Sequence, residues 1–137
     1  IKLDYLFMFR GQLLLSILIP TFNRSYFLMK NLKELSSMII KFDLLNNIQI
    51  IISNNNSSDD TSNKIQNFIL ENKKINIKLF DQKKTIPIQE NQIYPLKKAK
   101  SKYIMYLADD ESNFNSTAIY SKHVSASTAL GTNRYRY

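Results

Sequence analysis

A chain of 137 residues with 44% apolar side chains is long enough for one domain with a buried core. It has no cysteine, which excludes disulfides and thiolate metal sites, and its single histidine, His123, rules against a His-rich metal centre or a Ser-His-Asp triad. The net charge of +8 and pI near 9.6 favour anionic partners, whether nucleic acid, phosphorylated small molecules or an acidic membrane surface, without choosing among them.

Residues 1–12 are apolar but broken by Lys2, Asp4, Arg10 and Gln12, too short and charged to span a bilayer and without a small-residue cleavage site. They read as an amino-terminal extension. The unbroken apolar run 13–19 predicts a strand buried on both faces, stopped by Pro20. From Ser25, a candidate N-cap, Leu28, Leu32, Leu35, Ile39 and Phe42 recur at steps of four and three, the signature of one helix face.

A second buried strand is predicted over 48–52, running into the polar turn 53–61 and a helix over 61–72 with Ile65, Phe68 and Ile69 inward. Alternation of Ile75, Ile77 and Leu79 with polar residues predicts a third strand, ending at Phe80-Asp81. The helical connection over 88–100 contains Pro95, which predicts a kink or two short helices. Residues 103–107 give a fourth strand. This β-α-β-α-β-α-β order predicts an α/β fold with a mainly parallel sheet, whose ligands sit at the carboxyl ends of the strands. Beyond Glu111 the Ser-, Thr- and Asn-rich stretch 112–137 shows no sustained period and reads as a short helix at most, then a weakly ordered tail.

The polar clusters all fall at strand ends. Ala108 and the acids Asp109, Asp110 and Glu111 follow the fourth strand, a way of holding a hard cation beside a phosphate. The lysines are dispersed and lie among no recognition motif, which argues against a nucleic-acid-binding module.

Three stretches carry a resemblance: Ser16-Ile17-Leu18-Ile19-Pro20-Thr21-Phe22-Asn23-Arg24, then Ile50-Ile51-Ile52-Ser53-Asn54-Asn55-Asn56-Ser57-Ser58-Asp59-Asp60-Thr61, then Ala99-Lys100-Ser101-Lys102-Tyr103-Ile104-Met105-Tyr106-Leu107-Ala108-Asp109-Asp110-Glu111. In this order residues 13–111 resemble the amino-terminal, nucleotide-sugar-binding half of a family 2 glycosyltransferase with the Rossmann-like GT-A fold. The resemblance implies a nucleotide site at Pro20, Thr21, Phe22, Arg24, Asn54 and Asp109. It implies Asp110 as ligand of a Mg²⁺ or Mn²⁺ that bridges the donor's two phosphates. Where the family places an Asp against uracil this chain has Asn54, an amide that both donates and accepts. Ser57 and Asp59 match the family pattern and fit a turn and helix cap as well as a ligand contact. Lys83 and Lys84, on the loop after the third strand, fit a solvated loop better than a contact with phosphate.

By this resemblance the expected activity is transfer of a sugar from a nucleoside-diphosphate donor, UDP favoured, to a glycan or lipid-linked acceptor in bacterial surface polysaccharide synthesis. The expected setting is cytoplasmic, with peripheral association at the inner face of the membrane. The family's general base comes from the half that follows the metal motif, and residues 112–137 contain no Asp or Glu. The chain therefore reads as truncated after that motif, its base unassigned, and the alternative is a catalytically silent nucleotide-binding remnant.

Overall fold

The computed structural model describes residues 11–109 and 119–121. In chain order the elements are β1 (Leu15–Thr21), α1 (Ser25–Lys41), β2 (Ile48–Asn54), α2 (Thr61–Glu71), β3 (Ile77–Asp81), α3 (Ile88–Lys98), β4 (Tyr103–Tyr106) and β5 (Ile119–Ser121). The strands form one sheet in the order β3-β2-β1-β4-β5, parallel except for β5, which runs antiparallel to β4. The expected mainly parallel α/β sheet is thus present. The chain builds outward from β1 through β2 to β3, then crosses to the other side of β1 with β4. The carboxyl ends of β1 and β4 therefore flank the switch point where such sheets receive ligands.

Both faces of the sheet are covered, which is why its central strands are unbroken apolar runs. Ile17, Ile19, Ile50 and Ile52 pack against Leu28, Leu32, Leu35 and Ile39 of α1 and Ile65 and Phe68 of α2. The alternate residues Leu18 and Ile51 turn to the other face and meet Leu96 and Ala99 at the end of α3. Phe42 departs from the predicted stripe. Helix α1 ends at Lys41, and Asp43 takes a positive φ of 54°, so the turn leaves Phe42 57% exposed instead of inward.

Four other local expectations are corrected. Pro20 does not stop β1, which continues to Thr21 in register with β2. Leu18 turns its carbonyl to the N–H of Leu107, so the missing N–H of Pro20, two residues on, faces that same side, just past the end of β4, and β2 loses no bond. Ser25 is the first helical residue of α1, not its cap; Arg24 holds the cap position without a side-chain bond. Pro95 lies within a single helix, because it removes one bond while Ala99 still donates to its carbonyl at 3.1 Å. Finally, β5 extends the sheet beyond residue 111, where three residues were too few to show a period.

Candidate functional site

Parallel register sets Thr21 beside Asn54 and Asn54 beside Asp81, so the last residues of β1, β2 and β3 form one row at the carboxyl edge. Because side chains alternate along a strand, all three share the face of Ile19, Ile52 and Leu79, the one covered by α1 and α2. The row is tied laterally by backbone bonds, from Asn55 N–H to the Thr21 carbonyl and from Gln82 N–H to the Asn54 carbonyl, each 2.9 Å.

On the β4 side, Thr21 Oγ1 donates to Asp109 Oδ2 at 2.7 Å. Thr21 is buried and Asp109 half-buried. The same segment is held from below by Asn31 of α1, whose buried amide donates to the carbonyls of Ala108 at 3.3 Å and Asp109 at 3.2 Å. Asn31 was not singled out in the sequence. The signal was there, since it is a polar residue set among the inward positions Leu28, Leu32 and Leu35. Asp110, the expected metal ligand, and Glu111 lie outside the described residues. Among the described residues no three acidic or histidine side chains converge. Asp109 is the one carboxylate of the acid run among the described residues, an oxygen donor of the kind a hard divalent ion takes.

Asn54 is almost wholly buried, and protein groups engage both ends of its amide. Its Nδ2 donates to Asp81 Oδ1 at 2.7 Å, and its Oδ1 accepts from the Ser57 hydroxyl. Ser62 Oγ and Gln66 Nε2 of α2 donate to the other oxygen of Asp81, at 2.6 and 3.4 Å. The carboxylate next to the strand-end amide is therefore one strand farther out than the family position, at a residue sequence reading noted only as the end of β3.

Two loops at this edge interlock. Asn23, with a positive φ of 52°, donates its N–H to Ser57 Oγ at 2.9 Å, and its side-chain oxygen accepts from Ser58 N–H at 2.8 Å. Asp59 accepts from the N–H and hydroxyl of Thr61 at the start of α2 and, at 3.5 Å, from Ser25 N–H at the start of α1. Burial pushes the Asp59 carboxyl up, but these donors outweigh it and hold the group below its ordinary 3.8. Ser57 and Asp59 thus support the turn and helix starts.

Phe22 follows Thr21 directly and is 47% exposed, an aromatic face at the edge of the row; Arg24 is also exposed and Pro20 half-buried. Lys83 and Lys84 lie exposed on a loop that Asn55 clamps by exchanging bonds with Ile86, at 2.9 Å to its carbonyl and 2.8 Å from its N–H. Two shallow hollows, of about 430 and 550 Å³, lie elsewhere, at Gly11, Asp43, Asn46 and Asn47 and along α1 and α2 at Tyr26, Lys30 and Phe68.

The family described as Glycosyl transferase family 2 matches residues 16–117. A GalNAc(5)-diNAcBac-PP-undecaprenol beta-1,3-glucosyltransferase of Campylobacter jejuni is 33% identical over 97 residues, which take in 71% of this chain and 29% of that protein. Among solved structures, the mannosyltransferase PcManGT from Pyrobaculum calidifontis, in complex with GDP-Man and Mn²⁺, superposes with a TM-score of 0.63 at 12% identity, over 72% of this chain and 28% of its own. TarS of S. aureus in complex with UDP gives 0.58 at 16% identity, over 72% and 28%. At those identities the two structures speak to the fold, and the fold is theirs. The chain spans under a third of the length of these relatives. With the family matched over most of its residues, from β1 to beyond β4, the chain belongs to glycosyl transferase family 2.

Proposed function

We propose that residues 13–111 hold the donor of a sugar transfer, a nucleoside-diphosphate sugar with UDP favoured. The observation that carries this reading is the row Thr21, Asn54, Asp81 at the strand ends, joined through Thr21 to Asp109 at the switch point. In it Phe22 lies against the base, Pro20 and Thr21 line the nucleoside, Arg24 approaches phosphate, and Asn54 fixes the wall beside the base. Asp109 faces the ribose or assists the metal, and Asp110 ligates it. A Mg²⁺ or Mn²⁺ held by these acids would neutralise charge on the departing diphosphate. The complexes of two fold neighbours with UDP and with GDP-Man and Mn²⁺ support a nucleotide and a divalent ion.

The acceptor is a glycan, and the polyprenol-diphosphate substrate in the name of the Campylobacter relative supports a lipid-linked one. That chemistry belongs to surface polysaccharide synthesis at the cytoplasmic face of a membrane, where a net charge of +8 favours peripheral association with anionic lipid. Nucleic acid is not a partner in this reading. No described helix is long and apolar enough to cross a membrane. The test is transfer of labelled sugar from a panel of UDP-sugars to an undecaprenol-diphosphate glycan. Transfer lost on Asp110→Ala supports the enzyme. Binding of the donor without transfer supports a nucleotide-holding domain alone, and the absence of both transfer and binding overturns the reading.

A further inference from the structure

The row at the sheet edge contains an asymmetry that bears on which nucleotide it takes. Asn54 sits where a base would meet β2, yet its amide is committed on both sides, to Asp81 and to Ser57, and the residue is 1% exposed. An amide so pinned cannot turn over to suit one base or another. Asp81 is different. Its side chain is exposed, it stands in register beside Asn54, and three neutral donors, from Asn54, Ser62 and Gln66, fix both of its oxygens. Among the described residues no Lys or Arg forms a salt bridge with it. A carboxylate has about four acceptor positions, so three donors leave capacity to spare. Thr21 and Asp81 are separated by two inter-strand spacings, roughly 10 Å, with Asp109 at one end of the line. A nucleotide lying along it would have its phosphates toward Asp109 and its base toward Asp81.

We propose that Asp81 selects the nucleobase by accepting a ring N–H, and so favours uracil or guanine over cytosine and adenine. The inference rests on the nucleotide-binding reading above. Uracil and guanine each present a ring N–H beside a carbonyl, whereas the matching ring nitrogens of cytosine and adenine carry lone pairs that a carboxylate repels. The Asn54 amide holds the carboxylate in place from the strand that carries the family's own acid.

The test is calorimetry of the whole chain with UDP, GDP, CDP and ADP, each with Mn²⁺. The wild-type protein is expected to bind UDP or GDP at least about tenfold more tightly than CDP and ADP, the range of a charge-assisted hydrogen bond. Asp81→Asn, which can still accept from Asn54 and Ser62, is expected to bring the four within about threefold of one another. An unchanged ranking in Asp81→Asn, or equal binding of all four by the wild type, overturns the inference while metal-dependent binding leaves the donor-site reading in place. No binding of any of the four by the wild type overturns both.

Discussion

Thr21 at the end of β1 and Asp109 beyond β4 are 88 positions apart in sequence, yet the Thr21 hydroxyl donates to the Asp109 carboxylate across 2.7 Å. This bond spans the switch point and holds the Asp109 carboxylate beside the end of β1. Replacing the hydroxyl with a methyl in Thr21→Val keeps the shape and removes the donor. We expect a stability loss on the order of 1 kcal/mol in urea unfolding and a fall of about tenfold in affinity for UDP with Mn²⁺. Thr21→Ser should retain most of both. Equal losses in the two variants would mean that the methyl, not the hydroxyl, matters.

Asn31 supports the same segment from α1. Asn31→Ala would leave two carbonyls, of Ala108 and Asp109, without their buried donor. The expected cost is about 1–3 kcal/mol, read as a shift of the denaturant midpoint. Amide exchange should rise at Leu107 and its neighbours more than in β2, and a uniform rise across the sheet would count against a local role.

The Asn54–Asp81 pair explains why an amide stands on β2. In Asn54→Asp two carboxylates would face each other where an amide now donates across 2.7 Å. One of them must hold a proton, so the upper folded pKa of the pair rises above its unfolded value. A destabilisation of about 1–3 kcal/mol is expected at pH 7, shrinking as pH falls through that raised value. Urea midpoints at pH 7 and pH 5 measure it. A penalty that does not shrink at pH 5 would contradict the like-charge explanation.

Asp59 gives the opposite slope. Its carboxyl is held below its ordinary 3.8 by Thr61 and Ser25, so its contribution is complete above 3.8 and is lost as pH falls through the lower folded value. Asp59→Asn should lower the thermal midpoint at pH 7 and flatten its decline below pH 4. An identical acid limb in the variant would remove Asp59 from the account.

Much of this architecture was legible because two periods are hard to mistake. Leu28, Leu32, Leu35 and Ile39 mark the inner face of α1, and the apolar runs of β1 and β2 mark a sheet covered on both sides. What sequence reading missed depends on neighbours it cannot see. Pro20 is harmless only because β4 ends beside Leu18, and Phe42 turns outward only because the chain reverses at Asp43. Asn31 and Asp81 acquire their partners from segments far along the chain, so no local pattern marks Asp81 as more than the last residue of a strand. The strand-end clusters at Thr21, Asn54 and Asp109 were legible, since polar residues closing apolar runs lie at one edge of any parallel sheet.

The most direct measurement is calorimetric titration of the chain with UDP in the presence and absence of Mn²⁺, for the wild type and for Asp110→Ala. Saturable binding that requires the ion and disappears in the variant is the predicted result. Nucleotide binding that is indifferent to Mn²⁺ and to Asp110, or no nucleotide binding beside tight association with DNA, would contradict the account.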